Sequence, residues 1–256
     1  MAKERRRLLV PPARLGALAG SSLALNQLPL LESELHYLRR VLRLRQGDGF
    51  ALVDGAGRLW HAALTAEGLA QLEQPLDAPL QQLDAPSWRL ELVVAWPKRD
   101  GELLLRMACE LGIDCITPVI AERSTAPELR SHERHQTILR EAAEQCERLW
   151  LPQLGCQQRA VELFAAPRPG LRLLPTTRTE GLPLLAAALG HLANQDCQMG
   201  QEITVAVGPE GGWSPLEQEC AISHGWQPVS LGPTILRTST AAVAAAAQLS
   251  AWRAAL

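Results

Sequence analysis

Ile203-Thr204-Val205-Ala206-Val207 runs directly into Gly208-Pro209-Glu210-Gly211-Gly212-Trp213-Ser214-Pro215-Leu216-Glu217. The uncharged, β-branched run reads as a strand buried on both faces. Ser214 with Glu217 three residues on makes a capping box, and Pro215 takes the first helical position, so a glycine-rich loop leads straight into a helix N-terminus. A second strand, 227–231, ends in Leu231-Gly232-Pro233-Thr234-Ile235-Leu236-Arg237-Thr238-Ser239-Thr240-Ala241 before a final alanine-rich helix, 240–255. These two loops are the candidate site. The glycines let main-chain groups approach a ligand that Cβ atoms would keep away, although an isolated glycine pair reads first as a tight turn.

Upstream, the same alternation continues. Strands are expected at 90–95, 113–120 and 171–174. Helices are expected at 101–111 with Gly112 as its stop, at about 131–149 ended by Pro152, at 183–192 and at 215–224. Strands alternating with helices predict an α/β domain on a parallel sheet covered on both faces. The N-terminal part differs. Phe50–Val53 and Leu59–Leu64 flank the hairpin signal Asp54-Gly55-Ala56-Gly57, and short strands around tight turns suggest a small β-barrel. The aperiodic, proline-bearing stretch 73–86 separates the two, giving a first domain over 1–80 and a second over 88–256.

With 256 residues, 47% of them hydrophobic, the chain is long enough for two cores. Its net charge of −2 conceals an asymmetry: residues 1–50 carry nine Lys/Arg against four Asp/Glu, the rest sixteen against twenty-three. Arg5-Arg6-Arg7 opens that basic segment. In 34–45, Leu35, Leu38, Val41, Leu42 and Leu44 fall near helical spacing at first, leaving Arg39, Arg40 and Arg43 on the other side, a surface able to meet phosphates. The six cysteines form no C-x-x-C pair and no signal peptide precedes them, which predicts reduced thiols in a cytoplasmic protein. Charges and prolines interrupt every apolar run before the roughly 20 residues a bilayer needs, so no membrane contact is expected.

Several chemistries find no support. There is neither G-x-x-x-x-G-K-[ST] nor G-x-G-x-x-G between strand and helix, and no G-x-S-x-G elbow. His132 and His135 have no convincing partner ligands, so no metal is expected. Arg237, in a polar loop before a Thr/Ser cap, and Arg148, closing Glu141-Ala142-Ala143-Glu144-Gln145-Cys146-Glu147-Arg148, are the cations best placed to meet a ligand. Each has a plainer reading, as a capping arginine and as a solvated helix face.

His36 with Val41-Leu42-Arg43, Gly47-Asp48, Asp54–Gly57, Pro97-Lys98, Glu110-Leu111-Gly112, Glu122-Arg123-Ser124, 141–148, 208–212 and 231–241 together resemble the RsmE-type ribosomal RNA uridine-N3 methyltransferases. The resemblance spans nearly the whole chain, and the order and spacing of its last two loops carry most of its specificity. It implies a SPOUT methyltransferase domain with a C-terminal trefoil knot, preceded by a PUA-like β-barrel that binds RNA. Periodicity alone points instead to an open doubly wound sheet, since threaded chains are rare. It also implies a homodimer whose active site the partner chain completes. S-adenosylmethionine is expected in three loops, held by Leu174, Pro175 and Thr176, by Val207, Gly208, Pro209, Glu210, Gly211 and Gly212, and by Leu231, Gly232, Ile235 and Leu236. The substrate implied is a uridine N3 in 16S ribosomal RNA of the small subunit, with Arg5, Arg6, Arg7, Arg39, Arg40, Arg43 and Arg123 on the RNA. Arg237 and Arg148 would orient the base or stabilise its charge, with Glu144 a candidate proton acceptor. The family commonly has arginine at Thr234, glutamate at Ser239 and lysine at Met107. Two other readings stay open: a SPOUT methyltransferase on another RNA, and an inactive RNA-binding assembly factor.

Overall fold

Pairing begins at the N-terminus. In the computed structural model, which describes residues 5–16, 26–124, 131–177, 179–193 and 201–256, the early strands are β1 (Arg7–Leu9), β2 (Gln27–Pro29), β3 (Gly49–Val53), β4 (Arg58–Leu64), β5 (Leu69–Leu72) and β6 (Gln81–Gln82). They form one sheet in the order β1-β3-β4-β5-β2, with β6 on β4; β1 joins β3 in parallel and the other pairs are antiparallel. The helical turns α1 (Pro12–Gly16) and α2 (Glu32–His36) lie between strands in the chain. Leu8, Phe50, Leu52, Trp60, Leu64 and Leu72 meet in the core of this sheet, as alternating inward residues must. The hairpin turn is fixed by the buried Asp54, whose carboxylate accepts the amides of Ala56 at 2.8 Å and Arg58 at 3.0 Å. Gly57 there has φ +95, and a Cβ would lie 2.4 Å from the Leu83 carbonyl oxygen, so only glycine fits.

Two helical expectations need correction. α2 does not run on through 45: it passes into one π-helical turn, Tyr37–Val41, and the chain leaves it with Arg43 at φ +58. Arg39 and Arg40 therefore share an exposed turn, whereas Arg43 lies beyond it. The expected helix 131–149 is α4 (His132–Gln145), and Pro152 does not end it. Glu147 turns at φ +64, after which Gly57 donates to the Leu149 carbonyl and Leu151 to that of Gly55, both at 2.9 Å. Backbone pairing with the hairpin outcompetes another helical turn. Arg140–Leu151 accordingly joins the first compact unit, which otherwise runs to Ala85.

The second unit, Pro86–Leu139 with Pro152–Leu256, contains β7 (Trp88–Ala95), α3 (Gly101–Glu110), β8 (Cys115–Ile120), β9 (Gln153–Leu154), β10 (Gln158–Arg159), α5 (Ala160–Ala165), β11 (Leu171–Pro175), α6 (Leu185–Ala193), β12 (Gln201–Val207), α7 (Pro215–Ser223), β13 (Gln227–Val229) and α8 (Thr238–Ala254). Its sheet runs β10-β8-β7-β12-β11-β13 with β9 on β8, and all these pairings are parallel. The α/β expectation holds. β9, β10 and α5 went unread, because elements of two to six residues carry no period. On one face Val93, Ala95, Leu174 and Ala206 meet Leu163 and Phe164 of α5 and Ala221 of α7. α8 packs against β7 and β12 and against α3 and α6. Its buried side is Ala241, Ala242, Ala245, Ala246 and Leu249, small enough for close approach. Arg253 fixes its far end, ion-pairing with Asp114 and donating to the Trp88 carbonyl at 3.1 Å.

Among the described residues no helix is long and apolar enough to cross a membrane. The five described cysteines are free; Cys197 lies outside the described residues.

Candidate cofactor site

Strands β12, β11 and β13 are neighbours in a parallel sheet, so the loops that follow them leave from the same edge. That edge is where open α/β sheets bind ligands. Between these loops lies a cavity of about 690 Å³. The loop after β11 contributes Pro175 and Thr176. The loop after β12 contributes Val207, Gly208, Pro209, Gly211 and Gly212, and the loop after β13 contributes Leu231, Gly232, Ile235 and Leu236. Two expected residues do not line it. Leu174 is fully buried because strand alternation turns it into the α5/α7 core, and Glu210 points to solvent.

Local tethers set the loop after β12. Gly212, at φ +70, donates to the Pro209 carbonyl at 2.8 Å, which closes the turn. Ser214 caps α7: its hydroxyl accepts the Glu217 amide at 3.3 Å, and the Glu217 carboxylate accepts the Ser214 amide at 2.8 Å. Buried Trp213 packs edge-on against Phe164, with ring centroids 5.1 Å apart. A Cβ on Gly208 would come within 3.1 Å of the Trp213 ring. The Thr238 hydroxyl donates to the Gly208 carbonyl at 3.0 Å and so joins the second loop to the start of α8. In the third loop Ser230 and Gly232 bond to each other, the Gly232 amide reaching the Ser230 hydroxyl at 3.2 Å.

The lining is therefore mainly backbone and small side chains, with Arg123 and Glu180 its charged residues. Sequence reasoning missed Thr177, Thr179, Glu180, Gly181 and Leu182, which belong to a loop without period, and Gln218 and Ser230; Trp213, Thr238 and Ala241 lie in the two chosen loops but were not singled out there. The threonine-rich start of α8 was legible as a cap, but Arg237 itself holds the capping position and Thr238 instead reaches across to Gly208. The Thr176 hydroxyl and the Trp213 indole N–H are buried with no hydrogen-bond partner among the described residues. Buried polar groups are normally paired, so these two lining residues suit a ligand that supplies acceptors or donors.

The other candidates scatter. Arg237 is exposed, between Leu236 and Thr238 of the lining. Arg148 and Glu144 belong to the first unit and are not lining residues. One Glu144 oxygen accepts the Leu9 amide at 2.7 Å, and burial pushes its carboxyl up to about 7 against the opposing pull of that bond and of Arg140. Arg5 and Arg7 are engaged in ion pairs, with Glu73 at 2.6 Å and Glu147 at 3.0 Å, whereas Arg6, Arg40 and Arg43 are exposed and Arg39 reaches the Ala66 carbonyl at 3.2 Å. Arg123, expected on RNA, lines the cavity and donates to the Gly211 carbonyl at 3.1 Å.

The family model for the RNA methyltransferase domain matches residues 84–250, and that for the RNA methyltransferase PUA domain matches 30–73. The ribosomal RNA small subunit methyltransferase E of Synechocystis is 42% identical over 87% of this chain and 72% of its own length. That of Rickettsia conorii is 32% identical over 85% of this chain and 86% of its own. The crystal structure of the Neisseria gonorrhoeae protein of that name, bound to S-adenosyl methionine, superposes with a TM-score of 0.76 at 26% identity, covering 96% of this chain and 97% of that one. The chain belongs to the ribosomal RNA small subunit methyltransferase E family, an α/β methyltransferase fold with a PUA domain before it.

Proposed function

We propose that the chain methylates N3 of a uridine in 16S ribosomal RNA of the small subunit, with S-adenosylmethionine as methyl donor. The observation that carries this is the cavity at the ends of β11, β12 and β13, lined by backbone and by two orphaned polar side chains. Bound there, S-adenosylmethionine supplies a sulfonium methyl group, and transfer leaves S-adenosylhomocysteine. The glycine-rich loop and the Leu231–Leu236 segment hold the donor through main-chain groups, with no charged side chain required at 208–212 beyond exposed Glu210.

Uracil N3 carries a proton near neutral pH, so the protein must remove it as the N3–carbon bond forms. A guanidinium beside O2 or O4 stabilises the resulting uracil anion, and Arg237 at the head of α8 is assigned that role, with Arg148 orienting the base. Glu144, whose carboxyl titrates near neutrality, is the candidate acceptor for the proton. Because N3 lies on the Watson–Crick edge, the target nucleotide must be unpaired or flipped out. Exposed Arg6, Arg40 and Arg43, with Arg39, provide phosphate contacts; Arg5 and Arg7 join them only by exchanging their carboxylate partners. The chain is further read as a cytoplasmic homodimer with a trefoil-knotted C-terminal segment. The return of α8 from the edge strand β13 to β7 and β12 supports the threading.

The test is to incubate the protein with labelled S-adenosylmethionine and small subunits from a strain lacking this modification, then to map the methylated nucleoside. Label at one uridine N3 is expected. Label on transfer RNA, or at uracil C5, contradicts the assignment.

A further inference from the structure

A helix cap needs a carboxylate to reach back to one amide. Glu217 does more. The residue is 2% exposed, and while one carboxylate oxygen takes the Ser214 amide at 2.8 Å, the other accepts the Glu122 amide at 2.7 Å, from a turn 95 residues earlier in the chain. That turn closes on itself, Ser124 donating to the Ala121 carbonyl and the Ala121 amide to the Ser124 hydroxyl, both at 3.0 Å. It presents Arg123, whose guanidinium donates to the Gly211 carbonyl at 3.1 Å and whose Cβ lies 3.2 Å from where a Cβ on Gly211 would stand. The contacts form a ring: Glu217 to Glu122, Arg123 to Gly211, then along the chain through Gly212 to Ser214 and back to Glu217. The charge is balanced by two backbone donors and the positive end of α7.

We propose that Glu217 is a positioning residue for the methyl-donor site, holding the Ala121–Ser124 turn so that Arg123 fixes the Gly211-Gly212 backbone against the cofactor. It rests on reading the cavity as the S-adenosylmethionine site. A purely capping role would explain the Ser214 bond and leave the Glu122 bond without consequence.

Calorimetric titration of S-adenosylmethionine into Glu217→Gln, Arg123→Ala, the double variant and Ser214→Ala distinguishes the two. Gln keeps the volume but has one carbonyl oxygen for two amides, whereas Ser214→Ala removes half the cap and leaves the Glu122 bond intact. Losing a charge-assisted bond corresponds to an affinity drop of about tenfold for Glu217→Gln, and the same is expected for Arg123→Ala. The double variant should bind only about as weakly as either single one, because the two act in series. Ser214→Ala should lower the melting temperature and leave affinity within about twofold. The proposal is overturned if Glu217→Gln binds like the parent, if the two losses multiply in full, or if Ser214→Ala weakens binding as much as Glu217→Gln. Arg123→Ala alters an exposed side chain and leaves the cap untouched, so unchanged affinity there overturns it even should Glu217→Gln not fold. No heat with the parent protein fells the cofactor reading itself, a result distinct from parent-like variants.

Discussion

The loop after β12 and the arginine-bearing turn after α2 are built in opposite ways. At 208–214 the side chains are spent on holding the loop: Trp213 is buried beneath it, Ser214 and Glu217 cap it, and Thr238 grips the Gly208 carbonyl. What remains for a ligand is main chain in fixed positions and the Trp213 indole N–H, unpaired among the described residues. At 37–45 the π-helical turn buries Leu38 and leaves Arg39 and Arg40 exposed, and Arg43, just beyond it, is exposed as well. One region offers geometry and little charge, the other charge and little geometry. A small cofactor needs the first, and a phosphate backbone, whose affinity is largely electrostatic, needs the second.

The largest effect should come from the residue proposed to stabilise the uracil anion. Arg237→Ala is expected to lower kcat on small subunits by about a hundredfold while S-adenosylmethionine affinity stays within about threefold, as for removal of a charge-stabilising group. A normal rate removes Arg237 from the chemistry. Next, replacing Arg39, Arg40 and Arg43 together by alanine should reduce the slope of log affinity for RNA against log salt by about two, since each lost phosphate contact takes roughly 0.7–0.9 from it. Stability should hardly change, because these are surface positions. An unchanged slope would place the RNA elsewhere.

How much of this was legible follows the same division. The β12 strand, the capping box and the hairpin at Asp54–Gly57 are local patterns, and all stand as read. The tethers that shape the cavity were not legible, since Thr238 to Gly208 and Glu217 to Glu122 join residues far apart in sequence. The same cause shortened α4: its last expected turn gave way to pairing of 149–151 with Gly55 and Gly57. Leu174, expected beside the cofactor, puts its side chain in the core, a consequence of strand alternation that the loop pattern did not carry.

A smaller effect concerns Glu144. Its carboxyl is raised from 4.5 to about 7, chiefly by burial, so the folded protein holds a proton that the unfolded chain releases. Stability should fall as pH rises from about 4.5 to about 7 and then level off. Glu144→Gln, which cannot ionise, should lack that fall; parallel melting curves across the window would show that the group is not raised. If Glu144 also takes the N3 proton, kcat should rise through the same pH region in the parent and be strongly reduced in the variant.

The most direct measurement of the backbone-cradle account is calorimetry of S-adenosylmethionine with the parent, Gly212→Ala and the Arg39/Arg40/Arg43 variant side by side. Gly212 has open space around it but φ +70, so alanine there strains the loop without a clash. The parent should bind, Gly212→Ala should bind about tenfold more weakly, from the left-handed backbone penalty, and the arginine variant should bind like the parent. Loss of cofactor binding in the arginine variant, with Gly212→Ala unaffected, would contradict the backbone cradle.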